Sequence, residues 1–337
     1  MTTVSLIVPC HDAARTLRLC LESVLAQTRR PDEIVVVDDA SGDDSAAIAA
    51  ELGARVIRLP ENRGVSAARN TGVDNTFGDV LFFLDSDVTL RPDAVENALA
   101  ILERDPACGC AWGIYEPEPL IDDGPVEWYR ILHAVNWGTR QTGEVTGVVF
   151  ALAAIGRATF RETGGFDESL RDCEDIEYGH RLVERTRIVL TDTVRGRHDD
   201  GDRLLPILAE QWRRALPLIP LAVAAPGGSG GSGRRRVHAN RPAGILACAL
   251  AMASLPVGLL YPPALLVTAA LLVVFALVDP PLLKLVHRHR GPAFTGYFMA
   301  VHFAVHVVLV TGLAVGCLRV RPGRKAKAAT DAVSTES

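Results

Sequence analysis

With 337 residues the chain is long enough for two or three domains. Its net charge of −5 argues against nucleic acid as a partner, because nucleic-acid-binding domains carry a basic excess. The seven cysteines (Cys10, Cys20, Cys108, Cys110, Cys173, Cys248, Cys317) are an odd number and scattered, and none has C-x2-C zinc spacing. They read as reduced thiols in the cytosol. Mean hydropathy is +0.19, high for a soluble enzyme, and the excess lies after about residue 243.

In chain order, residues 4–8 form a short apolar run of the kind a strand shows when buried on both faces. Residues 16–28 have helical spacing through Leu17, Leu21, Val24 and Leu25. A second buried strand at 34–37 ends on Asp38-Asp39. A helix at 45–52 stops at Gly53. A strand at 55–59, a helix at 65–76 and a strand at 80–84 follow. Alternating strands and helices imply a parallel sheet covered by helices on both faces, with ligands at the carboxyl ends of the strands. Asp38-Asp39 and Asp85-Ser86-Asp87 fall at two of those ends. Residues 105–144 hold three of the four tryptophans, and periodicity does not decide their structure; they are candidates for the acceptor-facing part. An apolar run at 145–154, a turn at Gly164-Gly165-Phe166-Asp167 and a helix over 175–184 complete the first region.

The remainder changes character. Residues 211–225 are basic and then apolar, too short to span a bilayer and suited to an interfacial helix. A Gly/Ser linker at 226–233 precedes Arg234-Arg235-Arg236, His238 and Arg241. Residues 244–278 are almost uncharged and divide at Tyr261-Pro262-Pro263. The expected organisation is a catalytic domain at 1–205, an interfacial helix and linker at 206–243, three membrane helices at 244–260, 263–280 and 295–318, and a disordered tail at 319–337. The opening Met1-Thr2-Thr3 has no basic leader, so the first domain is expected on the cytosolic side. The positive-inside rule keeps residues 234–241 and 284–290 there too, while the basic tail opposes an outside C-terminus.

Several motifs now stand in order. They are Ser5-Leu6-Ile7-Val8-Pro9, Val36-Val37-Asp38-Asp39-Ala40-Ser41, Arg63-Gly64-Val65-Ser66-Ala67-Ala68-Arg69-Asn70, Phe83-Leu84-Asp85-Ser86-Asp87, and Gly164-Gly165-Phe166-Asp167-Glu168 with Glu174-Asp175. Together they make residues 3–200 similar to the GT-A domain of membrane-anchored, inverting family 2 glycosyltransferases. The resemblance implies an α/β fold: a nucleotide-sugar-binding domain with a mostly parallel central sheet, followed by C-terminal transmembrane helices. Where the family often has an aromatic-Asn-Glu triplet, this chain has Cys10-His11-Asp12. Which of these side chains touches the nucleotide stays open.

The resemblance also implies roles. A nucleotide-sugar donor carries an anionic diphosphate, which a hard cation, Mg2+ or Mn2+, neutralises through oxygen ligands. Asp87 is the implied metal ligand, and His198 a metal- or phosphate-contacting histidine. The implied donor-binding set is Pro9, Asp38, Asp39, Arg69, Asp85 and Glu174, with either Asp39 or Asp38 reading the nucleobase. Asp175 is the implied base for the acceptor hydroxyl. His302 and His306 share one face of the last apolar helix, a spacing suited to a helix–helix hydrogen bond. The expected activity is inverting sugar transfer at the cytoplasmic face of a cell membrane, with membrane lipid as a partner. The expected acceptor is a lipid-linked, glycan or other membrane-proximal hydroxyl. A processive synthase is the alternative, but Gln211-Trp212-Arg213-Arg214 lacks the Gln-x-x-Arg-Trp order of such enzymes. A non-catalytic scaffold is disfavoured by the presence of Asp39, Asp87 and Asp175. A nucleotidyltransferase would open with a glycine-rich loop, absent near Pro9.

Overall fold

The structure, a computed structural model, describes residues 2–216 and 242–319. These residues divide into two units, one of residues 2–122 and 130–200, the other of 123–129, 201–216 and 242–319. The strands are β1 (Val4–Cys10), β2 (Glu33–Asp38), β3 (Arg55–Arg58), β4 (Val80–Leu84), β5 (Val88–Leu90), β6 (Cys108–Tyr115), β7 (Gly143–Val145), β8 (Leu152–Gly156) and β9 (Arg187–His198). The helices are α1 (Ala14–Leu25), α2 (Ser45–Glu51), α3 (Val65–Asp74), α4 (Ala94–Arg104), α5 (Pro125–Arg140), α6 (Arg157–Thr163), α7 (Glu174–Leu182), α8 (Leu204–Ala215), α9 (Pro242–Leu260), α10 (Leu265–Leu277) and α11 (Pro280–Arg319).

In the first unit every residue of β1 and β4 is buried. Successive side chains leave a strand on opposite faces, so one strand feeds two cores. Leu6 and Val8 pack with Leu17, Leu21 and Val24 of α1 and with Val95 of α4. Ile7 points the other way, to Val73, Phe83, Phe160, Tyr178 and Leu182. Each such side chain contributes about 1.5–3 kcal/mol through the area it removes from water.

The sheet order is β3-β2-β1-β4-β8-β6-β9-β5, with β7 also paired to β9. The stretch β3-β2-β1-β4 is parallel throughout, as the alternating pattern predicts. The carboxyl ends of β1, β2 and β4 therefore lie along one edge. The antiparallel β8 begins there too, because Leu84 pairs with Leu152. The same edge receives Tyr115 and His198, which end β6 and β9. The undecided stretch 105–144 holds β6 and α5, and the apolar run 145–154 splits into the end of β7, a loop and most of β8.

The second unit is helical in its described residues. Ala247, Cys248 and Phe275 form its buried core, with Met252, Met299, Phe303, Val307 and Val310 packed around them. Ser254 and Thr268 hydroxyls meet at 2.9 Å and join α9 to α10. The Tyr129 hydroxyl lies 3.2 Å from Nδ1 of buried His302, while His306 donates from Nδ1 to the His302 carbonyl at 2.9 Å. So His302 makes a cross-helix contact and His306 bonds within its own helix.

Among the described residues two helices are long and apolar enough to cross a membrane, Pro242–Leu260 and Pro280–Leu318. The shorter Pro262–Leu277 rises roughly 24 Å at ~1.5 Å per residue, against a hydrocarbon core of ~30 Å. It ends before residue 280 because Asp279-Pro280 starts a new helix, with Asp279 Oδ1 accepting the Leu282 N–H at 3.3 Å. α11 is itself broken at Gly291, where φ is 76° and Pro292 follows. The expected interfacial helix at 211–225 lies partly outside the described residues. The linker at 226–233, the basic stretch at 234–241 and residues 320–337 of the tail lie wholly outside them.

Candidate active site

The edge is built from tight turns after strands. Asp38 is fully buried; its Oδ1 accepts the Ser41 N–H at 2.9 Å and its Oδ2 lies 3.0 Å from Arg58 Nε. The neighbouring Asp39 carboxylate accepts the N–H groups of Arg63 and Gly64, each at 2.7 Å. That ties the end of β2 to the loop opening α3. Of the two aspartates, then, Asp38 closes its own turn and Asp39 holds the adjacent loop. Asp12 (φ 49°), Ala40 (φ 58°) and Cys173 (φ 65°) are the described non-glycine residues with positive φ. Asp12 and Ala40 follow β1 and β2, and Cys173 precedes α7. Such strain persists only where the surroundings enforce it, and it concentrates at functional sites.

In the Cys10-His11-Asp12 triplet, His11 Nδ1 lies 2.9 Å from the Asp39 carbonyl and Asp12 Oδ1 accepts the Gly42 N–H at 2.7 Å. Burial pushes the Cys10 thiol up to about 11, so it is no nucleophile. Pro9 is buried in β1 beside Val37.

Arg69, from α3, organises the centre. It is only 2% exposed, and its Nη2 donates to Asp85 Oδ1 at 3.0 Å. Its Nη1 donates to Glu174 Oε1 at 3.2 Å and to Asp175 Oδ1 at 3.1 Å. One guanidinium thus gathers three of the carboxylates singled out in the sequence. Its carbon lies 5.4 Å from the centre of the Phe166 ring. Phe166 belongs to an aromatic cluster in which Phe83, Phe150 and Tyr178 meet it at 5.6, 4.9 and 4.5 Å. Asn70 clamps the same loop, accepting the Phe166 N–H at 2.8 Å and donating to the Phe166 carbonyl at 2.9 Å.

Asp175 sits in the first turn of α7, and its Oδ2 accepts the Phe150 N–H at 3.2 Å. Burial raises its pKa to about 6; Arg69 opposes this, while Glu174 and Asp85 add to it. Burial also raises Asp85, against the pull of Arg69 and with the push of Asp87. Burial works against the charge on Arg69, but Asp85, Asp175 and Glu174 outweigh it and keep the guanidinium protonated.

Beyond Asp85, Asp87 Oδ2 lies 3.5 Å from His198 Nε2. The imidazole stacks on Tyr115 with ring centres 4.8 Å apart, and its Nδ1 is 3.7 Å from Asp200. Burial alone would lower the His198 pKa; Asp87, Asp200 and Asp85 reverse the sign and raise it. Tyr115, Asp200 and the Phe150 N–H are the parts of the site that sequence reasoning did not single out. Asp200 carried a weak signal, two residues after His198, and Tyr115 lay in the stretch where periodicity gave none.

Residues 5–162 match the family described as glycosyl transferase family 2. Over that stretch, from β1 to α6, the chain resembles a family 2 glycosyltransferase domain. It is similar to the pre-mycofactocin glycosyltransferase of Mycobacterium tuberculosis, with 28% identity over 236 residues, 66% of this chain and 48% of that protein. It is also similar to the chondroitin synthase of Escherichia coli, with 29% identity over 187 residues, 54% of this chain and 26% of that protein. The chain therefore spans about half or less of the length of these curated relatives. Among solved structures, a mannosyltransferase from Pyrobaculum calidifontis in complex with GDP-Man and Mn2+ aligns with a TM-score of 0.58 at 21% identity. The alignment covers 94% of this chain and 86% of that one, and shows a shared GT-A fold.

In the first unit the residues fit a divalent cation. Asp87 Oδ1 is buried and has no hydrogen-bond partner, and His198 Nδ1 is in the same condition. A carboxylate with an imidazole suits Mn2+ or Mg2+ in donor chemistry. Among the described residues no three His, Cys, Asp or Glu side chains form a ready cage. Two protein donors suit a cation that shares its remaining positions with phosphate oxygens and water.

Proposed function

We propose that this chain is an inverting, divalent-cation-dependent glycosyltransferase. It moves a sugar from a nucleotide-sugar donor to a hydroxyl of a lipid-linked or membrane-proximal glycan acceptor at the cytoplasmic face of a membrane. The observation that carries the reading is Asp175. Its carboxylate stands on a helix N-terminus beside the Asp85–Asp87 loop, held at one oxygen by Arg69 and at the other by a backbone N–H. Its pKa of about 6 suits a base working near neutral pH.

Inversion needs one displacement. Asp175 takes the proton of the acceptor hydroxyl as its oxygen bonds to the anomeric carbon. The bond from that carbon to the diphosphate breaks in the same step, and the nucleoside diphosphate departs. Arg69 keeps Asp85, Glu174 and Asp175 assembled. Asp39 keeps acceptor capacity for a nucleobase N–H after binding Arg63 and Gly64. Asp87 and His198 would hold the cation, which supplies positive charge against the leaving diphosphate. A donor of this class agrees with the GDP-Man bound by the mannosyltransferase of similar fold.

The membrane part of the reading rests on the second unit. Leu260 is 90% exposed and Leu266 76% exposed, and Asp279 is the single carboxylate between Pro242 and Arg319. Large apolar side chains in such numbers are stable outside only against lipid or another apolar surface.

The test is a panel of nucleotide sugars with detergent-purified protein and Mn2+ or Mg2+, run beside Asp175→Asn and Asp87→Ala. One donor turning over, with both variants dead, supports the transferase. No donor turning over with either cation removes the catalytic reading.

A further inference from the structure

We propose that residues 280–290, the opening of α11, bind anionic phospholipid headgroups through a face made of Lys284, His287 and Arg288. The proposal rests on the membrane part of the function above.

These three positions are spaced i, i+3 and i+4, so they share one side of the helix. All three are exposed, while Leu282 and Val286, also one turn apart, are buried at 3% and 0%. The helix has turned its apolar stripe inward and its cations outward. Lys284, His287, Arg288 and His289 have no carboxylate partner among the described residues. In the first unit many cations are paired, Arg18 2.6 Å from Glu51, Arg58 3.0 Å from Asp38 and Arg181 2.6 Å from Glu177, and those without a carboxylate, such as Arg104 and Arg185, stand singly on separate elements rather than together on one helix face. No Asp or Glu occurs in the 40 residues of α11, and Asp279 just before it is engaged by the Leu282 N–H. The face therefore keeps its positive charge open to an anion from outside the described residues.

A second observation says which source it is. Arg290 lies with its guanidinium 4.4 Å from the Trp128 ring centre and 5.2 Å from that of Phe294. Tryptophan beside a basic residue is the pairing found where hydrocarbon meets headgroups. This cluster sits at the Gly291 break, after which residues 293–318 carry no charged residue. On the other side of residues 280–290 lies apolar α10 with Val273 and Val274 exposed. A basic face between two apolar segments, marked by an interfacial aromatic, lies at the depth of phosphates. Near an anionic surface each Lys or Arg strengthens binding by roughly fivefold. Two such residues with His287 predict a preference of tenfold or more.

The experiment is native mass spectrometry of the full chain in neutral detergent, titrated with phosphatidylglycerol, phosphatidylcholine or inorganic phosphate. The expected result is at least tenfold more phosphatidylglycerol bound than phosphatidylcholine at equal concentration. Lys284→Gln with Arg288→Gln removes the difference, and Lys284→Arg with Arg288→Lys retains it. Equal binding of the two lipids overturns the proposal, as does a Gln pair that binds like the parent. So does inorganic phosphate displacing the lipid, which would mark a free-anion site. An alkaline carbonate wash separates the premise: a chain that washes off membranes refutes the membrane reading itself. A chain that stays integral but shows no lipid preference refutes the headgroup site alone.

Discussion

Leucine is used in opposite ways in the two units. In the first, Leu6, Leu17 and Leu81 have no exposed surface, and charges gather at one edge of the sheet around the buried Arg69. In the second, Leu260 and Leu266 stand outside, while His302 and His306 are buried. The first pattern is that of a domain dissolved in water, where apolar area is removed from solvent and polar groups remain at the rim. The second reverses it, which is stable where the surroundings are apolar. The chemistry therefore belongs to the first unit, where low exposure sharpens charge–charge interactions. In the reading proposed above, the second unit offers the same residue types to a different solvent.

The largest expected effect breaks the chemistry without touching the fold. Asp175→Asn keeps the size and loses the proposed base, so kcat should fall by about 10²–10⁴, with the melting temperature little changed. A fall of less than tenfold would move the base elsewhere. Next are the buried positions of the first unit. Leu6→Ala should cost about 2–5 kcal/mol of stability by leaving a cavity. Arg69→Met should cost about 3 kcal/mol, since it strands three carboxylates, discounted because Asp85 is 30% exposed. Chemical denaturation measures both.

A smaller effect is the pH profile. Asp175 must be ionised to accept a proton, so kcat/KM should rise with pH through about 6 and level off above it. Below that value the rate falls about tenfold per pH unit. Glu174 raises the Asp175 pKa, so Glu174→Gln should shift the acid limb to lower pH. A shift in the other direction would mean that Glu174 acts chiefly by holding Arg69.

Legibility in the sequence followed the same division. The strands β1, β2 and β4 are continuous apolar runs because both faces are buried, so they and the aspartates at their ends were readable. The segment 105–144 was not. Gly109 and Gly113 interrupt β6, whose register with β9 shifts at Cys108/Cys110 and at Trp112/Ile114, so its period is broken. Arg69 was visible as a residue, but its role as a hub was not. Its partners lie 16, 105 and 106 residues away, and only the fold brings them together. In the second unit, hydropathy located the apolar segments but not their ends. Those depend on the Asp279-Pro280 cap and on the positive φ of Gly291.

The smallest expected effect tests the second half of the comparison. Leu260→Ala removes as much side chain as Leu6→Ala, yet it should change stability in detergent by about 0.5 kcal/mol or less. The reason is that Leu260 is 90% exposed and leaves no cavity when shortened. Detergent tails fill the space in either variant. If Leu260→Ala instead destabilised the protein as strongly as Leu6→Ala, that face would be packed against protein, a second copy of the chain or another subunit. The exposed leucines would then mark an interface, and the contrast between the two units would be one of partner rather than of solvent.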